Sequence, residues 1–296
     1  MPVPHRILVA TDFSTAAERA VARAGLLARA HGAALHLLHV VPPLDLYPAL
    51  TLGPEVGGND EAVRQAEQTR LDAAAVAIAS SLGIRVEAAT RIGRVQVEIA
   101  EYAKAIDADL VLVGARGENT LLDLLMGATA SRLLRLLTRP VLVVRQPASA
   151  PYQRVLAALD LSPGSAEVLK HARALAGDAS LQALHVLGSE VEARLRRARL
   201  AQVDISDWLA RLHADAERRL EAVLAEAGEA GVARQIRHGL PSAVICQVIE
   251  EANVDLVALG RHGQGGALHD WMLGSVSKDV AFATHCDVLL FGLPGQ

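Results

Sequence analysis

The stretch Ile7-Leu8-Val9-Ala10-Thr11-Asp12-Phe13-Ser14 decides the fold, because it returns as Val155-Leu156-Ala157-Ala158-Leu159-Asp160-Leu161-Ser162. Each copy is a short apolar run that stops at an aspartate and is followed two residues later by a serine. A run of this length, rich in Val, Ile and Leu, reads as a strand buried on both faces. Outward from it the correspondence continues. Leu38-His39-Val40 returns as Leu184-His185-Val186, Gly93 as Gly239, and Asp109-Leu110-Val111-Leu112-Val113-Gly114 as Asp255-Leu256-Val257-Ala258-Leu259-Gly260. The offset is 148 at Asp12, 146 from His39 to Gly117, and 147 at Gly127. These shifts imply a two-residue deletion in the first helix of the second copy and a one-residue insertion in its last loop.

Self-similarity at this period implies two homologous halves. The 296-residue length agrees, being about twice an average domain of roughly 150 residues. Gln146-Pro147-Ala148-Ser149-Ala150-Pro151 has the composition of a linker, so the expected domains are residues 1–146 and 152–296. In the first half, strands are expected at Arg6–Thr11, Ala34–Val41, Ile84–Thr90, Leu110–Ala115 and Pro140–Arg145. Helical patterns lie between them at Thr15–Ala30, Asp60–Leu82, Val95–Ile106 and Ala128–Leu137. Ser14 and Asn59 suit helix N-caps, and Gly32 and Gly83 suit helix ends. The second half repeats the plan, with a strongly helical segment at Asp207–Ala227. Strand–helix alternation of this kind predicts an α/β chain of two doubly wound, five-stranded parallel-sheet domains.

Composition narrows the function. Twenty-nine basic against 33 acidic residues give a net charge of −4, so nothing global draws the chain to nucleic acid or anionic membranes. Eight aromatic residues (three Phe, two Trp, three Tyr) are too few for a base-stacking surface. Ile7–Ala10 is too short for a signal-peptide core, and no apolar run reaches the roughly 18 residues of a membrane span. Cys246 and Cys286 cannot make a disulfide framework. Free thiols suit a reducing compartment, so a cytoplasmic protein is expected.

A parallel sheet of this type binds ligands beyond the carboxyl ends of its strands, where strand order reverses. The common orders place strand 1 beside strand 4, so Asp12 and Gly114, or Asp160 and Gly260, would face one crevice. After strand 4 come Gly114-Ala115-Arg116-Gly117, nine residues, and Gly127-Ala128-Thr129. The second copy has Gly260-Arg261-His262-Gly263, ten residues, and Gly274-Ser275-Val276-Ser277. Glycines let backbone N–H groups approach an anion, and the last glycine opens a helix whose dipole favours negative charge. Ser275 and Ser277 add hydroxyls, and Arg116, Arg261 and His262 are placed to meet phosphate. The carboxylates of Asp12 and Asp160 suit ribose hydroxyls. Ordinary loop glycines are the competing reading, since a duplicated relic repeats as faithfully as a working site.

Other candidates carry less. His262, His269, His285 and Cys286 lack a zinc-ligand spacing, so no metal site is expected. His39 and His185 sit inside apolar runs and read as hydrogen-bonded structural histidines. Arg194, Arg196, Arg197 and Arg199 read as a solvated helix face. The G-x-S-x-G elbow and the Walker glycine-lysine pair are absent, and no catalytic residue is nominated.

A first strand ending in A-x-D-x-S, a second ending in His-Val, and a G-x-x-G followed about nine residues on by glycine and a hydroxyl residue resemble the universal stress protein family. Gly239-Leu240-Pro241 before the third helix and Arg139-Pro140-Val141-Leu142-Val143-Val144 as a final strand extend the resemblance over nearly the whole chain. It implies a tandem member with strand order 3-2-1-4-5 in each domain. It also implies an ATP-binding stress-response regulator, with Mg2+ as the accompanying ion and no strong catalysis. Carried over by position, Asp12 and Asp160 lie near ribose and adenine. Val40 and Val186 offer backbone groups to adenine. Gly114, Gly117 and Gly127, with Gly260, Gly263 and Gly274, hold phosphates. Thr129, Ser275, Val276 and Ser277 line the phosphate end. The family commonly pairs through the last strand, so an internal pseudo-dimer of the two domains, or a homodimer, is expected, with an unidentified protein partner. Ala128 removes one hydroxyl from the first copy. The second copy's longer spacer is easier to absorb, so it is expected to be the better site. A nucleotide-free interaction scaffold with degenerate glycine loops is the alternative, and an enzyme related to adenine-nucleotide α-hydrolases a third reading.

Overall fold

Arg6–Thr11 forms the first strand, β1, and its Ile7, Leu8 and Val9 are fully buried, as an apolar run covered on both faces requires. The computed structural model describes residues 3–43, 60–115, 132–134, 136–137, 139–188, 202–261 and 274–292. The N-terminal half continues with α1 (Thr15–His31), β2 (Ala34–Val41), α2 (Asp60–Leu82), β3 (Val86–Ile92), α3 (Val95–Ala105), β4 (Leu110–Gly114) and β5 (Val141–Val144). The C-terminal half has β6 (Arg154–Ala158), α4 (Ser165–Ala176), β7 (Ser180–Gly188), α5 (Gln202–Glu226), β8 (Ala233–Gly239), α6 (Pro241–Glu251), β9 (Leu256–Gly260), α7 (Ser275–Ala283) and β10 (Asp287–Phe291). The chain forms two compact units that part between Pro151 and Tyr152.

Every strand pairing described within a unit is parallel. In the first, β1 lies between β2 and β4, β2 continues to β3 and β4 to β5, giving the order 3-2-1-4-5. In the second, β6 lies between β7 and β9, β7 continues to β8 and β9 to β10, which is the same order. The chain therefore leaves strand 1 in one direction and returns to strand 4 on the other side, which opens a crevice at the carboxyl ends of that pair. Leu110–Val113 of β4 and all of Asp287–Phe291 of β10 are buried. The outer strands β3 and β8 are largely exposed or half-buried and carry Glu87, Arg91, Arg234 and Arg237. Charge on an outer strand discourages pairing with another chain.

Local chemistry sets the helix ends. Ser14, extended at φ −70° and ψ 160°, caps α1 by accepting from the Ala17 amide at 3.2 Å, and Gly32 ends it at φ 64°. Ala17, Ala20, Ala24, Leu27 and Ala28 form its buried stripe. α1 has 17 residues and α4 has 12, which is where the second copy absorbs its deletion. Most expected boundaries hold to within one residue, and two elements move further. The third strand runs Val86–Ile92 rather than Ile84–Thr90, because Gly83 at φ 64° ends α2, Ile84 and Arg85 only link it onward, and the strand persists until Gly93 at φ 158°. The long helix of the second half starts at Gln202 rather than Asp207. Asn59, and all of the expected helix 128–137 that precedes residue 132, lie outside the described residues. Among the described residues no helix is long and apolar enough to cross a membrane.

Candidate nucleotide site

The aspartates of the repeated motif build the turn that leaves strand 1. Phe13 and Leu161 occupy the left-handed region at φ 60° and 59°, uncommon for residues with a Cβ. Hydrogen bonds hold that conformation. Asp12 Oδ1 accepts from the Ser14 amide at 3.0 Å and from Ser14 Oγ at 2.5 Å, and the Phe13 amide donates to Thr11 Oγ1 at 3.1 Å. In the second copy Asp160 Oδ1 accepts from the Ser162 amide at 3.0 Å and from Ser165 Oγ at 3.1 Å. The aspartate-to-serine spacing is thus the spacing of a turn that leads from strand 1 into α1 or α4. Asp12 remains exposed there and Asp160 half-exposed.

The strand 2 histidines close the same corner. His39 Nδ1 bonds the Thr11 carbonyl at 2.8 Å, and His185 Nδ1 bonds the Leu159 carbonyl at 2.8 Å. Each carbonyl can only accept, so each Nδ1 carries the proton. Burial holds the His185 imidazole below its ordinary value and keeps it neutral at pH 7. Val40 and Val186 follow directly, one residue beyond these histidines and past the last paired residues of β1 and β6. The rims differ. In the first half the Phe13 ring packs 4.9 Å from the His39 ring, with the Arg70 guanidinium 3.8 Å above it. In the second, Leu161 replaces the aromatic ring and Arg219 from α5 donates to the Leu161 carbonyl at 2.9 Å.

Strand 4 meets this turn through its glycine. A Cβ on Gly114 would stand 2.7 Å from the carbonyl carbon and oxygen of Ala16 and 3.0 Å from the Ala17 amide nitrogen. Gly114 is therefore the place where β4 touches the first turn of α1. In the second half the base of the glycine loop is closed. The Gly274 amide donates to the Arg261 carbonyl at 2.7 Å, and Ser277 Oγ donates to the Gly260 carbonyl at 2.6 Å. Gly274 is the N-cap of α7 and makes no side-chain cap bond. The first-turn amides of Ser275, Val276 and Ser277 have no intrahelical acceptor, as in any α-helix, and that turn stands at the mouth of β9. An anion fits such an end, with backbone donors and the helix dipole acting together.

The structure thus brings Asp12 and Gly114 to one crevice, and Asp160, Gly260, Arg261, Gly274 and Ser277 to its counterpart. Arg261 is buried, 4% exposed, and runs against Gly292, where a Cβ would lie 3.0 to 3.3 Å from its side chain. Burial lowers its guanidinium to about 10, still a cation at pH 7. Arg116, Gly117, Gly127, Thr129 and Gly263 lie outside the described residues. Sequence reasoning missed Arg70, Arg219 and Ser165. Arg70 and Arg219 come from helices remote in sequence, and only the repeat of Asp12 as Asp160 pointed to the turn that Ser165 completes. No group of three metal-ligand side chains occurs among the described residues.

Two five-stranded parallel arrangements of order 3-2-1-4-5, each with an acidic turn after strand 1 and a glycine at the end of strand 4, define a tandem doubly wound protein. Family comparison agrees. The model of the universal stress protein family matches residues 4–145 and again residues 151–292. The chain belongs to the universal stress protein family, in its tandem form. A universal stress protein of Mycolicibacterium smegmatis is 29% identical over 97% of this chain and 96% of its own length. One from Mycobacterium tuberculosis is 27% identical over 97% of this chain and 95% of its own. The crystal structure of a universal stress protein from Archaeoglobus fulgidus shares the fold, with a TM-score of 0.69 at 20% identity over 98% of this chain and 99% of that one.

Proposed function

We propose that the chain is an adenine-nucleotide-binding regulatory protein, with MgATP as its ligand and the C-terminal half as the better site. One observation carries the reading: Gly260, Arg261, Gly274 and Ser277 pin the start of α7 against the end of β9, one strand away from Asp160. Backbone amides of Ser275, Val276 and Ser277, with that of Gly263, would receive the phosphates. Asp160 would accept from ribose, and the backbone of Val186 would face adenine. Asp12, Val40, Gly114, Gly117, Gly127 and Thr129 are the equivalent set of the first half, with Arg116 at its phosphate end. When bound, the nucleotide supplies a polyanion and a base whose presence biases a partner surface. The reading is one of binding rather than turnover.

A second reading has its own support. Asp12 and Asp160 already close local turns, Ser277 has committed its proton to a carbonyl, and Arg261 is buried. A nucleotide-free scaffold would look the same. Denaturing the purified protein and quantifying released nucleotide, followed by calorimetry with MgATP, separates the two. One equivalent, lost in Gly263→Glu and Gly274→Glu, is expected. No released nucleotide and no binding heat would leave the scaffold reading standing.

A further inference from the structure

We propose that His213 on α5 and His238 on β8 form a surface site for a borderline transition-metal dication of the Zn2+ class. His213 Nδ1 and His238 Nε2 are 3.4 Å apart, with ring planes 9° from parallel and centroids 5.6 Å apart. The two residues are 25 positions apart in sequence, so only the packing of α5 on β8 joins them. One ring donates its N–H to the lone pair of the other, a contact that needs no ion. It also places two nitrogens at the edge length of a metal tetrahedron. Two imidazole nitrogens bound to Zn2+ at about 2.0–2.1 Å stand about 3.3–3.4 Å apart in tetrahedral geometry.

Loading the pair requires small changes. The shared proton moves to the far nitrogen of the donating ring, so both rings stay neutral and both near nitrogens present lone pairs. The rings then rotate until those lone pairs meet at one point. His238 is exposed and His213 half-buried, which leaves room for that rotation. The charged neighbours do not oppose a cation. Glu217 lies one turn further along α5 on the same face as His213. Arg234 faces the pair from β8 but is engaged with Glu221, and Arg237, on the other side of β8, is engaged with Glu251. Among the described residues no third ligand completes a set of three. The remaining positions therefore go to water or to a ligand the ion carries, an open coordination sphere rather than a closed structural one. The ion would tie α5 to the outer strand β8 and stabilise this half by mass action.

The test uses the full chain without an affinity tag, titrated with ZnCl2 in a calorimeter and then heated with and without Zn2+. The expected result is a bound equivalent in the wild type, accompanied by a rise in melting temperature. His213→Ala and His238→Gln should each lose both, with unchanged metal-free melting showing that they fold. His285→Ala, which removes a distant imidazole held by Glu250 at 3.0 Å, should retain both. No Zn2+ uptake by the wild type, or the same uptake and stabilisation in the two pair variants, overturns the proposal.

Discussion

Replacing Gly114 by alanine adds one methyl group, and its consequence can be worked from the backbone around it. Gly114 does not need a left-handed φ, so conformational strain plays no part. The new Cβ would lie 2.7 Å from Ala16 C and O and 3.0 Å from Ala17 N. Carbon atoms in contact normally sit about 3.5–4.0 Å apart, so the overlap is about an ångström. The obstacle is main chain, which cannot swing away as a side chain can. Either β4 retreats from β1, disturbing the Ile7–Leu110 to Val9–Leu112 register, or α1 shifts and drags the Asp12–Ser14 turn with it. Overpacking of this kind costs about 1–3 kcal/mol. With a urea slope of about 2 kcal/mol/M, the unfolding midpoint of this half should fall by about 0.5–1.5 M. Gly188→Ala is the control, because a Cβ there meets nothing within 4 Å, and it should stay within about 0.5 kcal/mol of wild type. Urea denaturation followed by circular dichroism reads both. If Gly114→Ala is as mild as Gly188→Ala, Gly114 is not a close-packing glycine and the account of the strand 4 turn fails.

Ser277→Ala removes the 2.6 Å bond to the Gly260 carbonyl and should cost about 1 kcal/mol; calorimetry with MgATP should then show several-fold weaker binding, and unchanged stability would mean the loop base is held by other contacts. Burial lowers the imidazoles of His31, His36, His171 and His185 below 6.5. Below that value the unfolded chain binds more protons than the folded one, so stability is full above about pH 6.5 and declines as pH falls through the lowered values. Urea midpoints measured between pH 7.5 and 5 should show that decline, and His171→Gln should flatten it; a level profile would contradict the burial argument. Burial first, then the carboxylates of Glu250 and Asp279, raise the Cys246 thiol, and Cys286 is fully buried. Both thiols should react slowly with a disulfide reagent at pH 7 and rapidly in urea; fast reaction of either in the native protein would count against that environment.

Much of this architecture was legible in one dimension. A strand buried on both faces must be an uninterrupted apolar run, so Ile7–Ala10, Leu110–Val113 and Val141–Val144 announce themselves, and their return about 147 residues on announces a second domain. The turn chemistry is another matter, since Asp12 and Asp160 read in the sequence as ribose ligands and only the fold shows them accepting from the Ser14 and Ser162 amides. Tertiary packing alone decided what each glycine and each charge does. Gly114 proved to be a contact between β4 and α1, Arg261 was drawn under Gly292, and Ser277 gave its proton to Gly260. Arg70 over Phe13, and His213 against His238, join residues whose separation in sequence carries no signal. Periodicity records which face a residue shows to the core, a property of one element. The partner across that face depends on the crossing of two elements, and only the folded chain specifies it.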